Sequence, residues 1–342
     1  MLTSKKIILT ILLSILLFLF TLNSINEGVY SFINPFFYLY YGITIILLFS
    51  ISGLLSAAFI FLSFAAGVIF LIYSGSDAFN GYFNHALLGN FFIFIGLIQF
   101  LVFLAIPVLF SFLISKGYTI SKSIYIPVLS VFIVFYSIAA IYIYNHGINL
   151  IASVNFFSDM LTTKLIHTYA MMGMKYFTTT KMQALISKTL KIILLLLPSL
   201  LIIFSWISIW ICFVFLKKIS KKTNLFFYGL KENLMLWRSS DYFLLLPIAG
   251  IIISIFSVGI FKYIGYNIIL LASSVYLIQG LTIVSYFFGK FNINVFLRIL
   301  GYAVIFVFSN PLIIFIILTG IFDMWFNFRK IDNNKKEVQR LT

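Results

Sequence analysis

"LLLLPSLLIIFSWISIWICFVFLKKIS" runs from Leu194 to Ser220 and carries no charged side chain before Lys217. Such a run exceeds the roughly 20 residues that an α-helix needs to cross a hydrocarbon core. Backbone N–H and C=O groups find no water there, so the segment must satisfy them internally, as a helix does. It ends on "KKISKK", Lys217 to Lys222, the kind of basic flank that stays on the cytoplasmic side. The same pattern repeats along almost the whole chain.

Composition agrees: 63% of residues are hydrophobic, 9% are charged, and the mean hydropathy is +1.14. No soluble core wrapped in a polar surface has that balance. The long uncharged runs exclude a barrel, whose strands alternate. The abundance of Phe and Tyr reads as compositional drift beside the equally abundant Ile, Lys and Asn. The net charge of +15 comes mostly from Lys in short connecting segments, which orients a membrane protein and gives no reason to expect nucleic acid. Cys212 lies alone inside a span, so it forms no intramolecular disulfide and no multi-thiolate metal site.

The expected fold is all-α, a polytopic helical membrane protein of eight to nine spans with an external amphipathic helical insertion. The N-terminal apolar run, about 1–20, reads as an uncleaved first span, and others are expected near 35–51, 53–73, 87–115, 124–144, 192–216, 242–261, 266–288 and 297–326. This divides the chain into an N-terminal bundle of about five spans (1–144), an external amphipathic segment (145–191), a C-terminal bundle (192–328) and a basic tail (329–342). Lys5, Lys6, Lys116, Lys122 and the "KKISKK" run place the N-terminus in the cytoplasm. Nine full crossings would leave the basic tail outside, against the charge rule. The "NPL" at Asn310 to Leu312 interrupts the last stretch, and a broken, re-entrant segment there would return the tail to the cytoplasm.

Four groups of residues invite a site reading. Ser52, Gly53, Ser56, Ser63 and Gly67 form a small-residue helix-packing face at a tight hairpin. Ser273, Ser274 and Gln279 interrupt an apolar helix, with Asn310 at a similar depth; they read either as interhelical glue or as the polar lining of a small-ligand site. "GIFDMWFNFRK", Gly320 to Lys330, reads as a membrane-exit anchor, with Trp325 at the interface and Arg329 and Lys330 snorkelling to phosphates. Asp323 is the odd member, since an acid at a span edge demands a partner; Lys330, Arg298 or a partner protein's cation are the candidates. Finally "HTYAMMGMK", His167 to Lys175, gathers three Met near a His, which the apolar face of an interfacial helix explains without a metal. No catalytic constellation, phosphate-binding glycine loop, metal site or cofactor is expected.

"LLLLPSLLIIFSWISIWICFVFLKKIS", "LKENLMLWRSSDYFLLLP", "LIQGLTIVSYFFGKFNINVFLRIL" and "LTGIFDMWFNFRK" together resemble the C-terminal half of the bacterial YybS-like membrane protein family. The resemblance covers about 185–330, with a looser likeness over 1–144. It implies a distant kinship of the N-terminal half to the substrate-binding S components of energy-coupling factor transporters, although the first span offers only Ser14 where those proteins carry small residues for docking. The leading expectation is therefore an inner-membrane protein of transporter-like fold, not an enzyme, that sits in the lipid bilayer and binds or takes up a small molecule with partner subunits. The competing expectation is a non-transporting scaffold or assembly factor for other membrane proteins.

Overall fold

The computed structural model describes residues 4–27, 35–52, 104–174, 179–223 and 234–330, with Ile60, Leu62 and Ala65. All regular structure among them is helical. The helices are α1 (Ser4–Glu27), α2 (Pro35–Ser52), α3 (Leu104–Ser115), α4 (Ile120–Asn145), α5 (Leu150–Met171), α6 (Thr180–Thr223), α7 (Leu245–Phe256), α8 (Ile260–Lys290), α9 (Val295–Val307) and α10 (Ser309–Phe326). Of these, α4, α8 and the Thr180–Val214 part of α6 are long and apolar enough to cross a membrane. Shorter apolar helices lie at Ile7–Phe20, Leu104–Ser115, Asp241–Phe256, Val295–Ile305 and Pro311–Phe326. The span expected at 53–73 and most of that at 87–115 fall outside the described residues, as do Gly53, Ser56, Ser63, Gly67 and the side chain of Ser52.

The chain forms two compact units, Met1–Ile148 with Phe204–Glu232, and Asn149–Ile203 with Asn233–Thr342. In the first, α1 and α2 pack through Leu17, Tyr41 and Ile45, with Phe20 stacked on Tyr40 at 5.1 Å between ring centroids. Helix α2 starts on Pro35, where a missing N–H is no loss. Gly42 lets α6 come close: a Cβ there would stand 2.9 Å from Cys212 Sγ.

In the second unit, Asn149 caps α5 by accepting from Ile151 N and Ala152 N, each at 3.1 Å. Helix α5 is tied to α6 where Ser187 Oγ donates to Asp159 Oδ1 at 3.2 Å. The polar residues 180–191 and the apolar residues 192–216 belong to one helix of 44 residues.

Pro198 interrupts that helix, and the structure repairs the gap. A proline removes one backbone donor and its ring pushes apart the turn before it. An unbroken helix would pair Ser199 N–H with Leu195 C=O. Here Asn267 of α8 stands between them: its Oδ1 accepts from Ser199 N at 3.0 Å and its Nδ2 donates to Leu195 O at 2.9 Å. A side-chain amide thus replaces a backbone bond and joins two helices.

Two glycine crossings draw α8 against its neighbours. With α7, a Cβ on Gly265 would lie 2.6 Å from Ser254 N and 2.7 Å from Gly250 O. With α10 the approach is tighter, because a Cβ on Gly280 would meet Ile316 O at 2.1 Å and one on Gly320 would meet Tyr276 O at 2.2 Å. Tyr276 and Gly280 oppose Gly320 and Ile316 in reversed order, so α10 runs antiparallel to α8 at this crossing. A glycine on each helix, Gly280 facing Ile316 and Gly320 facing Tyr276, lets the two backbones reach contact, as small residues do at helix crossings in a membrane.

The last apolar stretch is broken, but at Phe308 and not at Asn310–Pro311. Helix α9 closes with Phe308 N donating to Val304 O at 2.9 Å, and α10 begins at Ser309. Pro311 therefore falls in a first turn, where its absent N–H has no intrahelical partner to lose. The side chain of Asn310 lies outside the described residues.

Candidate functional site

The densest polar cluster among the described residues lies in the second unit, where α8, α10, the connector 235–240 and the turn 327–330 meet. Its centre is Gln279, fully buried on α8. An amide in an apolar interior is costly unless bonded. Oε1 accepts from Ser239 N at 3.0 Å and from Ser239 Oγ at 2.7 Å, while Nε2 donates to Gly320 O at 2.9 Å. One side chain therefore fastens both the connector and α10 to α8.

Three residues further along α8, buried Thr282 donates to Gln279 O at 2.7 Å and accepts from Arg329 Nη1 at 3.0 Å. Arg329 Nη1 also donates to the carbonyls of Met235 and Trp237, at 2.8 and 2.9 Å. Its Nη2 donates to Asp323 Oδ2 at 2.6 Å, and both side chains of this ion pair are 0% exposed. Asp323 Oδ1 accepts from Phe328 N at 3.0 Å, so the acid closes the turn that delivers its own partner.

That turn explains how residues six apart meet. Asn327, the residue after α10, adopts the left-handed conformation at φ 43°, ψ 54°, and its N–H bonds Asp323 O at 3.1 Å. Asn is among the few side chains that tolerate this conformation at a helix end. The chain reverses there and lays Arg329 back along the helix. An outer pair reinforces the closure: Arg238 Nη2 donates to Asp241 Oδ1 at 2.9 Å and to Met324 O at 3.0 Å.

The sequence-predicted residues separate as follows. Trp325 is 61% exposed and Lys330 is exposed, as interface groups are. Arg329 does not snorkel. Its guanidinium is buried because Asp323 and two backbone carbonyls supply oxygens that the turn places within its reach. Arg298 is not the partner of Asp323, since its Nε donates to Ile293 O at 2.7 Å. Ser274 bonds back to Leu271 O at 2.7 Å on its own helix, and Ser273 is half-buried. Ser239, Thr282, Asn267 and the carbonyls of Met235 and Trp237 were missed by sequence reasoning. For Asn267 and Thr282 the signal was present, as polar groups in an apolar helix; for the carbonyls no side chain carries one.

The helices, their hydropathy and their internally bonded polar groups define a polytopic membrane protein. Residues 42–324 match the family described as "Predicted membrane protein (DUF2232)", and the chain belongs to it. The match takes in Asn267, Gln279, Thr282 and Asp323, while Arg329 follows its end. No curated protein and no solved structure matches the chain.

Proposed function

We propose that the protein is a non-transporting scaffold of the bacterial cytoplasmic membrane, a structural partner in assembling other membrane proteins, with its N-terminus in the cytoplasm and no catalysis of its own. The observation that carries this reading is the commitment of Gln279. The residue offered from sequence as ligand lining spends its carbonyl on two donors of Ser239 and its amide nitrogen on Gly320 O. Asn267 is likewise consumed in repairing α6. An amide bonded through both its oxygen and its nitrogen ties together the segments that it joins. A transport path needs polar groups that a passing ligand can borrow, and these are already taken.

Uptake of a small molecule with partner subunits is the rival, and one experiment separates the two. The tagged full-length protein is cross-linked in its native membrane and purified with its neighbours. The scaffold reading expects a stoichiometric membrane-protein partner whose level in the membrane falls when this chain is deleted. A co-purifying ATPase module, with melting of the complex raised by a small solute, would overturn it in favour of transport.

A further inference from the structure

The turn that closes the polar cluster is strained and leaves one donor idle. Asn327 and Lys330, which bracket Phe328 and Arg329, both sit in the left-handed region, at φ 43° and 51°. Non-glycine residues stay there only where surrounding bonds hold them. Arg329 Nε is buried and has no partner among the described residues, although Nη1 and Nη2 are engaged. The carboxylate of Asp323 is met through Nη2 alone. The Nε edge of the guanidinium, which a bidentate oxyanion would fill, is unused.

The turn's position supplies a competing oxyanion. Trp325 and Phe326 just before it are 61% and 68% exposed and Lys330 is exposed, and an aromatic pair beside a Lys at the end of an apolar helix is the pattern of a membrane–water interface. Lys335, Lys336 and Arg340 follow in the sequence, and such a basic stretch is drawn to an anionic lipid surface.

We propose that Arg329 is a two-position switch that exchanges Asp323 for the phosphate of an anionic phospholipid headgroup, and that the exchange opens the 327–330 turn. Closed, the guanidinium holds Asp323 and the carbonyls of Met235 and Trp237. Open, Nε and Nη2 grip one phosphate together, Asn327 and Lys330 relax, and Asp323 loses its cover and meets water at the helix end. The connector carbonyls are released at the same moment, so a change in lipid composition reaches the segment that Gln279 anchors. This inference rests on membrane insertion and is independent of whether the protein is a scaffold.

Hydrogen exchange reads the switch directly. Phe328 N–H, held by Asp323 Oδ1 at 3.0 Å, and Lys330 N–H, held by Asn327 O at 2.8 Å, are the reporters. Full-length protein is compared in vesicles of phosphatidylcholine alone and with phosphatidylglycerol added. The anionic lipid should speed exchange at both sites about tenfold or more. Inorganic phosphate added to the zwitterionic vesicles should leave it unchanged; acceleration by phosphate alone would assign the site to a soluble anion and overturn the lipid assignment. Asn327→Gly relieves the strain of the closed turn, so its response to anionic lipid should shrink. Asp323→Asn should exchange fast in both vesicles, which shows that the reporters sense opening. Equal wild-type exchange in the two lipid compositions overturns the proposal whether or not that variant folds.

Discussion

Asp323→Asn strips the carboxylate from a guanidinium that is 0% exposed, and a buried charge deprived of its partner costs about 3–5 kcal/mol. The variant should melt well below wild type in detergent, and an unchanged melting temperature would refute the pairing. Asp323→Leu with Arg329→Met removes both charges and should recover part of the loss, the remainder reflecting the carbonyls of Met235 and Trp237 that Arg329 serves. At the helix crossing, Gly280→Ala places a methyl 2.1 Å from Ile316 O. Backbone cannot yield as a flexible side chain does, so overpacking of about 1–3 kcal/mol or more is expected as lowered thermal stability. That Asp323 needs a partner was legible from its place beside a span. The partner was not, because helical spacing points to residues three or four away and Arg329 is reached only through the reversal at Asn327.

Helix α6 carries a prediction about coupling between two helices. Asn267→Leu deprives Ser199 N–H and Leu195 C=O of the amide that joins them, a loss of about 1–3 kcal/mol for buried groups left unpaired. In a Pro198→Ala background the helix can close that bond itself, so the same substitution should cost less. A double-mutant cycle followed by thermal melting measures the difference; strict additivity would show that the amide does not act through the proline gap. The proline was visible in the sequence, and so was the polar Asn267. Their meeting was not, because it joins residues far apart in the chain and depends on the register of α6 against α8. The helices themselves were more legible, since length and apolar content suffice to specify them. The break before α10 was misplaced by a few residues because Pro311 is favourable in a first turn and so marks a helix start as readily as a stop.

For the molecule as a whole, membrane insertion and helical class follow from composition and run length, which need no knowledge of packing. The side of each loop is a separate matter. If charge bias decides the orientation, Met1 and the "KKISKK" run face the cytoplasm and 145–191 faces outside, since long segments translocate despite their Lys. Cysteine introduced at Ser153 or Thr179 should react with an impermeant reagent applied to intact cells, whereas cysteine at Ser220 should not; the opposite result inverts the topology. The turn that ends α5 offers a further use. Gly173 turns the chain at φ 74°, a Cβ there would meet nothing within 4 Å, and Met171, Met172 and Met174 around it are exposed. A turn residue whose Cβ would meet no neighbour, flanked by exposed side chains, tolerates a passenger. A short epitope flanked by glycines and inserted after Gly173 would let the intact protein display its own marker, so that an antibody applied to unbroken cells counts both how many molecules are present and how many face the right way.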